Sequence, residues 1–545
     1  MSVMQRPTER QAPEAFRHGS PASATGPVFD ERPLAFEGAV FPSPLQRFAP
    51  YFVELLGTFI LTTTFVYNYR HMGDPLWSAT SNGLMVMALT YAFGHISGAN
   101  LNPSISLALL MSGRQSTNVV GRLCAVQILG AGCAAAMLRG LTQATVDIGP
   151  INEHTWRAVV VVEVVYTGVL CFVYLNCAAS TRNNPSHKQN GFIGLAMGFI
   201  FVAGGYAARE VSRTVLNSAI AAGLTVVNCR DGFSLSGIGY FVADIAGAFL
   251  AAGAYRLTRP AELEHRDETC AGAFAATMGS SRSLGWGSAP TGVYPTKKCQ
   301  KDTDSARVAA EFFGTFVVIF TKALNRLGTA NAVGPEAWSV AASLTSMVYA
   351  LRDVSGAYFN PAVTFAAWLS GRTNIRLRTA MFYMVAQVFA GIAASSVFSA
   401  MNNGKPMPLT FGARASTAVA IYGEGCFTCL IAYVVLAMTA TNAKDARPRS
   451  IRVGVSSSGL AQNDIAGFAY GACQIAGGFA VGHISGAMLN PAVVLSFNGL
   501  DIVKGHFRGD VMLYVVWEFF GAVVATGIFM ITHVQLYNHT EGELP

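Results

Sequence analysis

Apolar runs recur near residues 50–69, 79–96, 117–138, 157–178, 191–208 and 233–256, and again near 308–325, 336–351, 378–399, 415–438, 463–481 and 511–533. An α-helix needs roughly 20 residues to cross a hydrocarbon core of about 30 Å. The pattern therefore predicts twelve spans in two sets of six. Between the sets lies a polar stretch, 259–306, carrying Glu262, Glu264, Arg266, Asp267 and Glu268, then Lys297, Lys298 and Lys301. It reads as a flexible linker. Residues 1–47 are polar and rich in Pro, Ala and charge, and read as a disordered tail without a signal peptide.

Six spans return the chain to its starting face, so both sets share one orientation. Short-loop basic residues mark the cytoplasmic face. Lys444, Arg447, Arg449 and Arg452 follow the fourth span of the second set, Arg182 and Lys188 its counterpart in the first, and Lys297 to Arg307 fall on the same face. The N-terminal face and the short tail 536–545 are thus expected to be cytoplasmic, with Lys504 and Arg508 on the opposite face. Asn538-His539-Thr540 matches a glycosylation acceptor, but on the expected cytoplasmic tail it is discounted.

Composition agrees with a membrane protein. Of 545 residues 52% are hydrophobic and 12% charged, against roughly 25% charged in soluble domains. The 55 glycines suit close helix packing. The net charge of +7 comes with no basic helix bearing interleaved aromatics, so no nucleic-acid partner is expected. Cys124, Cys133, Cys171, Cys177, Cys426, Cys429 and Cys473 lie in apolar runs. Cys426 and Cys429 form a C-x-x-C with no His ligand and no second pair, and read as small packed hydrophobes. No nucleophile–base pair or metal-ligand set emerges, so no enzyme, metal or cofactor is expected.

Four short segments repeat one motif: Ser97-Gly98-Ala99-Asn100-Leu101-Asn102-Pro103-Ser104, Val215-Leu216-Asn217-Ser218-Ala219, Ser355-Gly356-Ala357-Tyr358-Phe359-Asn360-Pro361-Ala362 and Ser485-Gly486-Ala487-Met488-Leu489-Asn490-Pro491-Ala492. Each precedes about ten apolar residues, a helix about 15 Å long and half of a hydrocarbon core. Two such half-helices meeting head to head complete one span. Asn is a favoured N-cap and Pro a favoured first residue. Asn102, Asn217, Asn360 and Asn490 would then keep their NH₂ donors free to face a pore. Both half-helix dipoles would point their positive ends at the midplane, a barrier to cations and protons. Non-helical backbone at membrane depth is tolerated where it is buried in protein or lines a water-filled cavity.

A second signature accompanies the first. Glu54-x-x-x-Thr58, Glu163-x-x-x-Thr167, Glu311-x-x-x-Thr315 and Glu424-x-x-x-Thr428 open the first and fourth spans of each set. An ionisable residue inside a span is costly. Each carboxylate is expected to accept backbone N–H groups of a re-entrant loop; the alternative is a headgroup-level Glu beside a helix N-terminus. Gln127 and Gln387, in matching Ala-x-Gln contexts, are expected to brace the same loops.

Gly94-His95-Ile96-Ser97-Gly98-Ala99-Asn100-Leu101-Asn102-Pro103, the Glu-x-x-x-Thr repeats and Ala-x-Gln resemble the aquaporin or major intrinsic protein family, over 48–258 and 307–535. The resemblance implies an all-α membrane protein of two tandem aquaporin-like units, each of six transmembrane helices plus two re-entrant half-helices. Each unit would hold its own pore, and a homodimer would present four pores as a pseudo-tetramer. The family's filter positions fall on Asn82, Gly205, Thr214 and Ile220 in the first unit, and on Val340, Gly478, Ala487 and Val493 in the second. Ile220 and Val493 stand where the family usually has Arg, Gly205 and Gly478 where water-selective members have His. Ala221 and Val494 replace the Asp of glycerol-conducting relatives. Both filters are expected to be wide, the second wholly apolar.

Other departures carry their own expectations. Arg213, with Glu210 as counter-charge, would either replace the filter Arg or form a vestibule ion pair. Arg352-Asp353, in place of Gly94-His95, would form an ion pair at the cytoplasmic mouth of the second pore. Asp244 and Glu518 stand at matching places in the last spans, where a helix–helix polar contact is expected. His95 and His483 are expected to serve packing. The function implied is passive conduction of water and small neutral solutes such as glycerol or urea across a lipid bilayer, the plasma membrane being favoured. A non-conducting structural or junction protein is the alternative, supported by Asn217-Ser218 and the missing arginines. A secondary transporter would need a coupling-ion site.

Overall fold

Each apolar run folds as a helix, and each Asn motif starts a short one. A computed structural model describes residues 44–70, 75–142, 148–151, 154–180, 182–184, 190–228, 236–260, 262, 303–327, 333–373, 375–405, 416–439, 465–503 and 509–537. The first unit runs α1 (Pro44–Arg70), α2 (Pro75–Ser97), α3 (Pro103–Met111), α4 (Thr117–Thr142), α5 (Trp156–Tyr174, continued by a π-helical turn Leu175–Ala179), α6 (Ile193–Ala207), α7 (Ser218–Asn228) and α8 (Ser236–Thr258). The second repeats the order as α9 (Asp304–Leu324), α10 (Val333–Ser355), α11 (Pro361–Leu369), α12 (Leu377–Met401), α13 (Thr417–Thr439), α14 (Ala466–Val481), α15 (Pro491–Val503) and α16 (Gly509–Thr532). The half-helices are α3, α7, α11 and α15. Most of 1–47 and 259–306 lies outside the described residues, as do Lys188, Lys297, Lys298, Lys301, Lys444, Arg447, Arg449, Arg452, Lys504, Arg508 and Asn538 to Thr540.

Among the described residues seven helices are long and apolar enough to cross a membrane by themselves: α1, α4, α5, α8, α12, α13 and α16. The other five predicted spans fall short for physical reasons. Two of them, α6 and α14, are apolar but have only 15 and 16 residues. By contrast α2, α9 and α10 are long but more polar, α9 with Arg307, Glu311 and Lys322, α10 with Glu336, Arg352 and Asp353. In α10 the polar groups have protein partners. Buried Ser339 and Ser346 donate to the carbonyls of Ala203 (2.8 Å) and Ala196 (2.9 Å) on α6 of the other unit. A helix enclosed by protein needs no lipid-facing stripe.

The seam between units sets α9 and α10 against α5 and α6. The Tyr166 hydroxyl donates to Thr321 Oγ1 (2.9 Å), and Phe192 stacks on Tyr349 with ring centroids 4.9 Å apart. At the N-terminal face a buried ion pair closes this seam. Arg259, just past α8, has no exposed side-chain surface and donates to both Asp353 oxygens at 2.8 Å. It also donates to Asn176 Oδ1 (2.6 Å), Glu262 Oε1 (3.2 Å) and the Ala350 carbonyl (3.1 Å). Asp353 therefore pairs across the seam, while its neighbour Arg352 donates to the Met438 carbonyl (3.3 Å). This differs from the dipeptide ion pair expected from sequence, because Arg259 reaches Asp353 from a distant part of the chain. Burial opposes the charges of Arg259 and Glu262, but their mutual attraction and that of Asp353 and Arg114 prevail. The Glu262 carboxyl is held below its ordinary range and the Arg259 guanidinium above its own.

Glycines permit the closest helix crossings. A Cβ on Gly247 of α8 would lie 2.7 Å from both the Gly168 nitrogen and the Val164 carbonyl of α5. On the second unit Gly521 of α16 meets the Gly425 backbone of α13 in the same way. Backbones this close leave no room for any side chain.

Candidate functional site

The residues that start the half-helices shape the centre of each unit. Asn102 caps α3, its Oδ1 accepting from the Ser104 N–H (2.9 Å), and Asn360 caps α11 through the Ala362 N–H (2.9 Å). Asn217 and Asn490 do the same for the N–H groups of Ala219 (3.0 Å) and Ala492 (2.9 Å). Their Nδ2 atoms reach across: Asn102 to the Leu216 carbonyl (2.8 Å), Asn217 to Leu101 (2.8 Å), Asn360 to Leu489 (2.8 Å) and Asn490 to Phe359 (2.9 Å). So α3 meets α7, and α11 meets α15, N-terminus to N-terminus. One hydrogen of each NH₂ is used in this way and one remains, whereas the sequence reading left both free.

The loops leading in are strained. Ala99, Leu101, Thr214, Leu216, Ala357, Phe359, Ala487 and Leu489 all have positive φ, between 44° and 54°, which costs non-glycine residues on the order of 1–3 kcal/mol each. Four fully buried carboxylates hold these turns. Glu54 accepts from the N–H groups of Asn100 (2.9 Å) and Leu101 (2.7 Å), the Ser97 hydroxyl (2.6 Å) and Gln127 Nε2 (2.8 Å). Glu311 accepts equivalently from Tyr358 (3.1 Å), Phe359 (2.8 Å), Ser355 (2.6 Å) and Gln387 (2.9 Å). Glu163 takes Val215 (3.1 Å), Leu216 (2.9 Å) and the Ser212 hydroxyl (3.1 Å). Glu424 takes Met488 (3.0 Å), Leu489 (2.6 Å) and the Ser485 hydroxyl.

Two carboxylates given no firm role by sequence part company here. Asp244 accepts from Thr167 Oγ1 (2.7 Å), a contact between α8 and α5. Glu518, one methylene longer, stands beside Glu424 and accepts from the Asn490 N–H at 2.7 Å, touching the motif itself. Their recurrence at matching positions was the only sequence signal. His95 and His483, both expected to serve packing, are exposed, His95 at the end of α2 and His483 just past α14.

The eight positions expected from sequence to form the filters all fall among the described residues. In the first unit Asn82 is buried, its Oδ1 accepting from Asn68 Nδ2 (2.7 Å). Gly205 packs against Ala79, where a Cβ would come within 2.6 Å of the alanine Cβ. Thr214 Oγ1 donates to the Gly204 carbonyl (3.5 Å), and Ile220 is buried. Arg213 lies over the Tyr69 ring at 5.3 Å, and Glu210 pairs with Arg209 at 3.1 Å. In the second unit Val340, Gly478 and Ala487 line one cavity together with Lys322, Glu336 and Gln474, while Val493 is buried off its wall.

The second filter is therefore not wholly apolar. Lys322 Nζ donates to the carbonyls of Gly486 (3.1 Å) and Ala487 (3.0 Å) and to Glu336 Oε1 (2.5 Å). Arg326 donates to the Gly486 carbonyl (2.8 Å) and Glu336 (3.0 Å). Counting from the Asn motif misses Lys322 because it sits on α9, which carries none of the counted positions.

Comparison with protein families matches residues 46–255, 151–286, 298–468 and 449–544 to the major intrinsic protein family. The chain belongs to that family. Similar proteins include a probable aquaporin TIP5-1 of Oryza sativa subsp. japonica, 30% identical over 44% of this chain and 87% of its own length. Aquaporin NIP1-2 of Arabidopsis thaliana is 32% identical over 37% of this chain and 69% of its own, and Aquaporin Z of Rhodopseudomonas palustris 28% over 38% and 93%. Among solved structures, the aquaglyceroporin from Plasmodium falciparum matches at 17% identity and a TM-score of 0.34, covering 39% of this chain and 96% of its own. The two sets of eight helices are thus two tandem aquaporin-like units, each with two re-entrant half-helices.

Proposed function

We propose that this protein is a passive channel for water and small neutral solutes, with one conduction path per unit, in 48–258 and 307–535. The observation that carries this reading is the reciprocal asparagine bond, which sets two helix N-termini against each other at the centre of each unit. Positive dipole ends there oppose cations, and the spare amide hydrogen of Asn102, Asn217, Asn360 and Asn490 can bind an oxygen in transit. The eight filter positions would set the aperture, and the four glutamates with Gln127 and Gln387 would hold its geometry. Glycerol and urea are the solutes proposed beside water.

The N-terminal face is proposed as cytoplasmic on the charge of its loops, in a plasma membrane. A homodimer is proposed as the assembly. Within the chain α5 and α6 are covered by α9 and α10; the equivalent faces at the two ends, α1 with α2 and α13 with α14, expose Trp77, Leu84, Tyr91, Tyr422, Phe468 and Phe479. Those ends match one another as the covered ones do, so a second chain closes four pores. Native mass measurement showing only single chains would overturn the dimer. Stopped-flow shrinkage of proteoliposomes tests the channel: accelerated water and urea or glycerol flux is expected. No flux above empty vesicles would favour the non-conducting alternative instead.

A further inference from the structure

We infer that Lys322 is the charge-selecting residue of the second unit's pore, delivered to the filter from α9 in place of a cation on the re-entrant loop. The inference rests on the channel reading above. At the position three residues beyond Asn490 stands Val493, which brings no charge. Lys322 instead shares a cavity wall with three of the four filter positions, Val340, Gly478 and Ala487. Its side chain is only 3% exposed, so the ammonium is placed rather than loosely tethered.

Its contacts define what it can do. An ammonium has three hydrogens, and Glu336 and the carbonyls of Gly486 and Ala487 engage all three. Ala487 is one of the left-handed loop residues, so Lys322 holds the segment that shapes the filter. No hydrogen is left for a passing solute, and its influence on permeants is electrostatic. The ion-paired cluster itself carries Lys322 +1, Arg326 +1 and Glu336 −1, giving +1, with the loop-bracing Glu424 carboxyl also within electrostatic reach of Lys322. A net positive charge beside a water-lined constriction repels cations and leaves neutral molecules alone.

The first unit has no such charge at the matching places. Eleven and fifteen residues after Glu54 stand Phe65 and Tyr69, where the same steps from Glu311 reach Lys322 and Arg326. Phe65 is buried and its ring centroid lies 4.6 Å from that of Tyr69. The two units thus differ in where a cation is delivered: from the first helix in the second unit, and in the first unit from Arg213 beside Thr214, over the Tyr69 ring at 5.3 Å.

Guanidinium, urea and nitrate are planar and similar in size, with charges of +1, 0 and −1, so their relative fluxes read charge alone. Full-length protein in proteoliposomes is compared with K322M, which brings the cluster to 0, and E336Q, which brings it to +2. The guanidinium-to-urea ratio should rise roughly ten-fold in K322M, and the nitrate-to-urea ratio similarly in E336Q. K322R, which keeps the charge, should leave both ratios near wild type. A purely structural lysine would alter urea flux without changing either ratio, and that result overturns the inference. If K322M does not fold, E336Q decides by the sign of its shift. Absence of urea and water flux in the wild-type protein would overturn the channel reading itself and this inference with it.

Discussion

Asn102 and Asn217 each donate to the carbonyl that immediately precedes the other, Leu216 and Leu101, both at 2.8 Å. Asn360 and Asn490 repeat the exchange through Leu489 and Phe359. Each asparagine thus caps its own half-helix with its oxygen and fastens the opposite loop with its nitrogen. One side chain satisfies a donor and an acceptor that would otherwise be stranded in the membrane interior.

Removing one such side chain should be felt in both loops. Asn360→Ala loses a helix cap, about 1 kcal/mol, and leaves the buried Leu489 carbonyl short of a donor, about 1–3 kcal/mol. A lower melting temperature of the detergent-solubilised protein is expected, together with reduced solute flux. Unchanged melting would mean that water replaces the amide fully.

Glu311→Gln tests the loop geometry more sharply. The carboxylate accepts four hydrogen bonds, two of them from the backbone of Tyr358 and of the left-handed Phe359. An amide keeps one acceptor oxygen and turns an NH₂ toward donors, so a loss of roughly 2–4 kcal/mol is expected. Amide exchange at Tyr358 and Phe359 should accelerate, while the first unit's loops stay protected. Uniform protection in the variant would contradict the bracing role.

The clasp at Arg259 predicts an acid sensitivity. Burial pushes the Glu262 carboxyl up, but Arg259 and Arg114 pull it further down, below the ordinary 4.5. The folded state therefore binds fewer protons than the unfolded chain as the pH drops through this range, and stability falls. The contribution is complete above the ordinary value and is lost as the pH passes the lower, folded one. Melting temperature should decline more steeply on acidification in wild type than in Glu262→Gln.

Arg259→Met should cost roughly 3 kcal/mol by leaving Asp353 without its main partner. Because the pair bridges the units, limited proteolysis near residue 259 should speed up. A variant as protease-resistant as wild type would show that the seam's apolar contacts suffice.

At the Gly247–Gly168 crossing, Gly247→Leu forces α8 off α5 and should abolish a monodisperse species in detergent, since a Cβ alone meets backbone at 2.7 Å. Gly253→Leu, with nothing within 4 Å of its Cβ, is the matched control and should behave as wild type.

The parts of this architecture legible in sequence are those encoded locally. Asn102-Pro103 and Asn360-Pro361 announce a half-helix because cap and first turn are adjacent in the chain. The glutamates announce themselves because a carboxylate in an apolar run demands partners. What lies across large separations stayed hidden. Arg259 and Asp353 are 94 residues apart, and Lys322 reaches carbonyls 164 and 165 residues away. Pattern shows that such a charge exists, but only the fold shows what it faces. Asp244 and Glu518 look equivalent in the repeat, and a single methylene sends them to different partners.

The seam of α5 and α6 against α9 and α10 also dictates order. Because the first unit offers that face to the second within each chain, the proposed homodimer would alternate the two kinds of unit around its ring. Each first unit would then have only second units as neighbours. One chain would supply both kinds of unit in a fixed one-to-one ratio.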